Sequence, residues 1–79
     1  MRLRGKWVRL SNHYSRFVTE NHDWGYVFYC RDKPEGYKWR AHVNALPQDD
    51  TYLSTEAAAK RQVRGMLREL IEDMKELQA

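Results

Sequence analysis

The residues of this chain that could act as nucleophiles or metal ligands are Cys30 and the three histidines, His13, His22 and His42. None of them forms a CxxC or HxxxH pair, the close spacing that metal sites commonly show. Cys30 and His42 come near each other in a predicted hairpin, but no catalytic motif accompanies them, and the chain has no glycine-rich phosphate loop. The sequence therefore predicts a protein that is not an enzyme and that uses no metal or cofactor.

Aromatic and basic residues are interleaved in residues 24–43, WGYVFYCRDKPEGYKWRAHV. Aromatic rings offer flat surfaces on which nucleotide bases stack, and Lys and Arg neutralise phosphates. The same residue types are enriched in the hot spots of protein interfaces. This segment is therefore the candidate binding region, and the question is which of its side chains are buried and which are exposed.

The chain has 79 residues, of which 42% are hydrophobic and 13% aromatic, with a net charge of +3. This length is typical of a single domain with a thin core, so residues 1–79 are treated as one domain. One cysteine excludes an internal disulfide framework and is typical of a reducing cytoplasm. No segment has the apolar length of a membrane span, and the basic start MRLRGKWVRL lacks the apolar run of a signal peptide. We therefore expect a soluble, cytoplasmic protein with no membrane partner.

Segments rich in aromatic and β-branched residues, bounded by residues typical of turns, predict the strands. The predicted strands cover about residues 3–10, 14–19, 24–31 and 37–44, and residues 51–53 are a candidate edge strand. Period-two spacing puts Arg2, Arg4 and Lys6 on one side of the first strand. The pattern is typical of an antiparallel meander.

The sequence Lys33-Pro34-Glu35-Gly36 predicts a tight turn between the two central strands. Proline fixes φ at the first turn position, and glycine readily adopts the left-handed conformation of a bulged three-residue loop. Such a loop pairs Lys33 with Tyr37 and, continued along the strands, places Phe28 opposite His42.

A helix is predicted over about residues 55–77, with Ser54 or Thr55 as the N-cap. Gly65 lies inside it, which indicates either a close approach to the sheet or simple tolerance. The predicted fold is α+β, with a three- or four-stranded antiparallel meander over about residues 2–53 and one long carboxy-terminal helix packed on one face.

The alternation of the two central strands sorts their side chains onto two faces. Small and branched residues predict the face beneath the helix, which comprises Val27, Tyr29, Trp39, Ala41 and Val43. The opposite face would carry Tyr26, Phe28, Cys30, Lys38, Arg40 and His42. Such a face could stack the bases of a single strand or enter the major groove of DNA. Alternatively, it is an ordinary solvated surface on which Lys and Arg stems cover the rings.

The first half of the helix carries Lys60, Arg61 and Arg64, where the helix dipole disfavours cations. Helix stability does not explain this order, whereas contact with phosphates or with an acidic protein surface would; a solvated charged face is the alternative. The apolar positions from Val63 to Leu77 alternate spacings of four and three. That spacing predicts either packing on the sheet or a homodimer through the helix.

From Tyr37 onward, YKWRAHVN…TYLSTEAAAKRQVRGML resembles a small group of DNA-binding domains, the plant ethylene-response-factor domains and the amino-terminal domains of phage-type tyrosine recombinases. The matching positions are Trp39, Ala41 and Val43, then Thr55-Glu56-Ala57-Ala58, within about half of the chain. The resemblance implies an exposed sheet face that enters the major groove through Lys38, Arg40 and the preceding strand. This chain differs in its added basic amino-terminal hairpin and in its acidic, proline-containing link between Val43 and Thr51.

The leading prediction is a small non-enzymatic protein that binds nucleic acid, DNA in particular. The predicted contact residues are Arg2, Arg4, Lys6, Tyr26, Phe28, Lys38, Arg40, His42, Lys60, Arg61 and Arg64. The alternative is a protein-binding inhibitor, such as a phage-encoded inhibitor of host defence of the anti-CRISPR type. It would present the same surface to an acidic or nucleic-acid-binding protein.

Overall fold

In the computed structural model the described part of the chain forms one five-stranded antiparallel sheet and one helix. The structure describes residues 5–20, 22–46 and 51–78, with side chains up to residue 72. The elements are β1 (Lys6–Ser11), β2 (Tyr14–Thr19), β3 (His22–Tyr29), β4 (Trp39–Val43), β5 (Thr51–Leu53) and α1 (Glu56–Gln78). The strands follow one another as a meander in the order β1-β2-β3-β4-β5. The predicted α+β fold is confirmed, but the sheet has five strands rather than three or four, because β5 pairs with β4.

The pairing between β3 and β4 differs from the predicted register by two residues. Phe28 lies opposite Arg40 rather than His42, and His42 lies opposite Tyr26. The prediction of a tight three-residue loop was wrong, because the chain makes two successive turns between the strands. In the first turn Lys33 N–H donates to the carbonyl of Cys30 at 3.3 Å, and a second turn follows. A shift of two residues keeps every paired side chain of β3 and β4 on its predicted face, since strand side chains alternate with a period of two.

The second turn of this loop uses Gly36 in the left-handed conformation that the sequence predicted for it. Tyr37 N–H donates to the carbonyl of Pro34 at 3.0 Å, and Gly36 has a φ of 87°. The Lys38 ammonium then donates to the loop carbonyls of Arg31 (3.0 Å) and Lys33 (2.9 Å). The loop is therefore held from inside by a lysine that the sequence placed on the binding face.

The core lies between α1 and the face of the sheet that carries Val27 and Ala41. Val27, Ala59 and Val63 are completely buried (0% exposed), and Phe17 extends the core onto β2. Of the other residues predicted beneath the helix, Ala41 and Val43 are buried, whereas Tyr29 and Trp39 are half-buried. Burying such side chains contributes roughly 1.5–3 kcal/mol each, which is how one helix can hold a thin two-layer domain together.

The helix starts with the cap that its sequence predicts. The Thr55 hydroxyl accepts a hydrogen bond from Ala58 N–H at 3.1 Å, which satisfies one of the free amides of the first turn. The α1 backbone lies over β3, β4 and β5. A methyl group built on Gly65 would meet nothing within 4 Å, so Gly65 is tolerated rather than required for close approach. Among the described residues, no helix is long and apolar enough to span a membrane.

Candidate binding face

The surface opposite α1 is a sheet face on which aromatic and cationic side chains share two rows. Val27 and Ala41 point to the helix, so their strand neighbours Tyr26, Phe28, Arg40 and His42 point the other way. Cross-strand partners share a face, and this extends the set to β2 and β5. We call the set the aromatic face; it consists of Tyr14, Arg16, Tyr26, Phe28, Arg40, His42 and Tyr52.

The first row runs across four strands and contains three rings and one guanidinium. Tyr14 pairs with Phe28, Phe28 with Arg40, and Arg40 with Tyr52. Directly opposed residues in antiparallel strands have Cβ atoms about 4.5–5.5 Å apart, so side chains of adjacent members are neighbours. The row therefore presents three aromatic rings, and the guanidinium of Arg40 lies between the second ring and the third.

The second row lies beside the first and adds an arginine and a histidine. Arg16 pairs with Tyr26, and Tyr26 pairs with His42. The rings of Tyr26 and His42 have centroids 5.0 Å apart, and Tyr26 stacks on Tyr14 of the first row at 5.7 Å with an interplanar angle of 22°. Tyr14 also contacts Phe28 edge to face at 5.8 Å. These contacts fix the rings before any partner binds.

Arg16 holds the two tyrosines together rather than extending into solvent. Its Nε donates to Asp23 Oδ2 and its Nη1 donates to the Tyr14 hydroxyl. Its guanidinium carbon lies 5.6 Å from the Tyr14 ring centroid and 5.5 Å from that of Tyr26, within cation–π range. The hydrogen bond to Asp23 raises the pKa of Arg16 above its ordinary value although burial opposes the charge, so Arg16 stays cationic.

Phe28 is the exposed apolar residue of the aromatic face. It is 41% exposed, although it sits in the third of five strands. An exposed ring in a central strand loses the burial that would normally justify a phenylalanine there. The Phe28 ring is therefore accessible from the side of the sheet away from α1.

The pKa of His42 is affected by the positive charges of the aromatic face. Burial lowers the pKa of His42 below its ordinary value of 6.5, and the positive charges of Arg40 and Arg16 lower it further. The imidazole is therefore mostly neutral at pH 7, and the two arginines act on the same spot. An anion placed there would interact favourably with both of them.

The structure brings together only some of the residues that the sequence assigned to binding. Tyr26, Phe28, Arg40 and His42 lie in the two rows, and Lys6 shares their side of the sheet through its pairing with Val18 on β2. The residues that lie elsewhere among the described ones are Lys38, in the loop, and Lys60, Arg61 and Arg64, on α1. Arg2 and Arg4 lie outside the described residues.

Lys60 belongs to a separate contact on the helix side of the sheet. It forms an ion pair with Glu56 at 3.1 Å, and its ammonium lies 5.2 Å from the Trp7 ring centroid. Glu56 also pairs with Arg9 of β1 at 2.7 Å. The role of Lys60 in this contact is to join the helix to the first strand. Arg61 and Arg64 are exposed on the helix.

Cys30 lies just past the end of β3, outside the paired residues. Burial raises the pKa of its thiol despite the nearby charge of Arg40, and the thiol lies 3.9 Å from the carbonyl of Phe28. The protonated thiol is therefore favoured, which makes Cys30 a poor nucleophile. Within the described residues, no three His, Cys, Asp or Glu side chains are grouped so as to hold a metal ion.

Sequence reasoning missed Tyr14, Arg16 and Tyr52 as parts of the aromatic face. Their alternation was visible, because Tyr14 and Arg16 are two residues apart in a predicted strand. Placing Tyr14 and Arg16 required the pairing of β2 with β3, which contains an irregularity between Phe17 and Val18, and placing Tyr52 required the pairing of β4 with β5. Neither a tight-turn motif nor a repeat in the sequence indicates that irregularity.

A comparison of the chain with protein-family models, with characterised proteins and with solved structures finds no match. The resemblance of residues 37–67 to the DNA-binding domains stays a prediction.

Proposed function

We propose that this protein is a non-enzymatic nucleic-acid-binding domain and that the aromatic face is its binding surface. The observation that supports the proposal is the pair of adjacent rows in which four aromatic rings and a histidine alternate with Arg16 and Arg40 on the side of the sheet away from the helix. Rings stack on bases, and guanidinium groups neutralise phosphates. The proposal includes a cytoplasmic location, supported by the single cysteine of the chain.

Charge on this side of the sheet favours a polyanion. Arg16, Arg40 and Lys6 supply positive charge, and Asp23 offsets part of it by pairing with Arg16. After burial, the positive charges of Arg40 and Arg16 lower the pKa of His42, which shows that both arginines lie near it. A phosphate backbone passing over His42 would reduce the repulsion between these cations, and this reduction would favour binding.

The alternative is a protein-binding inhibitor, of the kind that phages encode against host defence. The specific observation that favours it is the exposed ring of Phe28 beside Tyr and Arg side chains, the composition of an interface hot spot. A protein partner would bury Phe28 and pair acidic side chains with Arg40. Both proposals use one surface, and sensitivity to salt and competition by free nucleic acid distinguish them.

The test is fluorescence anisotropy with labelled single- and double-stranded DNA at about 50 mM and about 200 mM salt. Arg40→Gln is the test variant, and Arg64→Gln, which removes one exposed charge from α1, is the matched control. We expect Arg40→Gln to weaken binding and to reduce the salt slope by about 0.7–0.9, one phosphate contact. Arg64→Gln should leave both nearly unchanged. Absence of binding at low salt, or equal losses in the two variants, would refute the proposal.

A further inference from the structure

We infer that the aromatic face takes single-stranded nucleic acid, whose bases stack on Phe28 and the neighbouring rings, and not the major groove of a duplex. This inference rests on the proposed function and decides which form of nucleic acid fits it. Three features of the aromatic face carry it: what Phe28 offers, how Arg16 is used, and how wide the rows are.

Phe28 offers π surface and apolar contact alone. It has no donor or acceptor with which to read a base edge, yet it is the ring left 41% exposed in the central strand. In a duplex the base faces are already stacked on each other, so a protruding phenyl ring would gain contact with little besides thymine methyl groups. In a single strand the base faces are free, and stacking on an aromatic ring is worth roughly 1–3 kcal/mol per base.

Arg16 uses two of its hydrogen-bond donors in bonds to neighbouring side chains. Reading guanine in the major groove requires a guanidinium that can present two donors to the base. The Nε and Nη1 donors of Arg16 are already bonded to Asp23 and Tyr14. Turning the guanidinium toward a base edge would disturb both bonds and weaken the pairing of the partly exposed Asp23 carboxylate, which would then repel the phosphates. The guanidinium therefore fixes the tyrosine rings in place and adds positive potential, which is what a stacking surface needs.

The width of the rows does not fit a groove. The row from Tyr14 to Tyr52 spans three inter-strand spacings, about 14 Å between the outer backbones before side chains are added. The major groove is about 12 Å wide and admits a helix or a two-stranded ribbon. A three-stranded face, about 10 Å across by the same spacing, would fit more readily. The extension of the row onto β5 is therefore an advantage for an open single strand and an obstacle for a duplex.

The experiment compares a labelled single-stranded oligonucleotide with a hairpin duplex of the same sequence, using Phe28→Leu as the test variant. Leucine keeps an apolar side chain of similar burial and removes the ring, so the change isolates stacking. The matched control is Tyr37→Leu, which removes an aromatic ring that is 57% exposed in the loop after β3 and outside the two rows. Thermal melting checks that both variants are folded.

We expect the single strand to bind at least about tenfold more tightly than the duplex, and Phe28→Leu to weaken single-strand binding by about 5- to 150-fold. The salt slope should not change, because no charge is removed. Tyr37→Leu should bind like the parent protein. Phe28→Trp should bind at least as well as the parent, and its indole fluorescence should be quenched as the oligonucleotide is added.

Two results would overturn the inference in different ways. Equal or tighter binding of the duplex, with Phe28→Leu unchanged, would refute stacking and leave the proposed function standing as duplex recognition. Absence of binding to either form at low salt would refute the proposed function as well, and a protein partner would then be the better explanation of the exposed ring.

Discussion

Replacing Gly25 with alanine tests the fit between β3 and β4 at the base of the aromatic face. Gly25 is buried and lies between Phe17 of β2 and Val43 of β4. A methyl group built on it meets the backbone carbonyl oxygen of His42 well inside the 3.0 Å that real Cβ atoms essentially never cross, and lies 3.3 Å from both His42 C and Val43 Cα. These are backbone atoms, so no side chain can rotate away to relieve the contact.

The expected cost follows from the need to separate two paired strands. Overpacking of this kind typically costs about 1–3 kcal/mol, and we expect the upper half of that range because the backbone itself must move. For a domain of this size about 1 kcal/mol shifts Tm by about 4–8 °C, so Gly25→Ala should lower Tm by about 8–24 °C. The separation also displaces the neighbouring pair of Tyr26 and His42, so the folded variant should bind nucleic acid more weakly.

Gly65→Ala is the matched control, since it is the same chemical change at a site with open space. Nothing lies within 4 Å of the built methyl group, and alanine is favoured over glycine inside a helix by about 1 kcal/mol. We expect Gly65→Ala to raise Tm by a few degrees, as measured by circular dichroism. The reasoning is refuted if the free energy of unfolding of Gly25→Ala lies within about 0.5 kcal/mol of that of the parent protein, which is the range of ordinary surface substitutions.

Four further predictions concern pH and assembly. Because the folded pKa of His42 is lowered, the unfolded chain takes up more protons, so stability should fall as pH drops below about 6.5, and His42→Gln should reduce this fall in urea titrations. Binding of a polyanion should raise that pKa, so affinity should increase from pH 7.5 to pH 5.5 in the parent and not in His42→Gln. Burial favours the neutral form of Glu56, but the hydrogen bonds from Lys60 and Arg9 outweigh it and lower its pKa, so its stabilising contribution is present above about 4.5 and is lost as pH falls through the folded value. Glu56→Gln should therefore cost roughly 0.5–1 kcal/mol at pH 7, and the cost should shrink progressively as the pH falls below about 4.5. If the chain dimerises through α1, light scattering should give twice the monomer mass, and Leu70→Asp should return it to the monomer; an unchanged mass would refute a helix-mediated dimer.

The sequence was sufficient for the fold because each element carries its own periodic signal. Residues 14–19 are rich in aromatic and β-branched types and form β2 over that range, and the capped, Ala-rich segment after Thr55 forms α1. The faces of the central strands were also predictable, since Phe28 and Arg40 lie on the same side whatever even shift the register takes.

Register and loop contacts were not predictable for an equally local reason. Pro34 and Gly36 are compatible with a tight three-residue loop as well as with the double turn that forms. The choice depends on contacts such as that of Lys38 with the loop carbonyls, which exist only once the chain has folded back. The same holds for Arg16, whose partner Asp23 lies on another strand.

The position of α1 over β3, β4 and β5 has a consequence for how the domain opens. β1 is an edge strand that the helix reaches through the Arg9–Glu56 ion pair and the stacking of Lys60 on Trp7. Amide hydrogens of β1 should therefore exchange with solvent through a local opening that leaves the helix and the three strands beneath it closed. Raising the salt concentration should accelerate exchange in β1 more than in β4. In that event β1 opens separately from the helix and the three strands beneath it, because its contacts with α1 are charged ones.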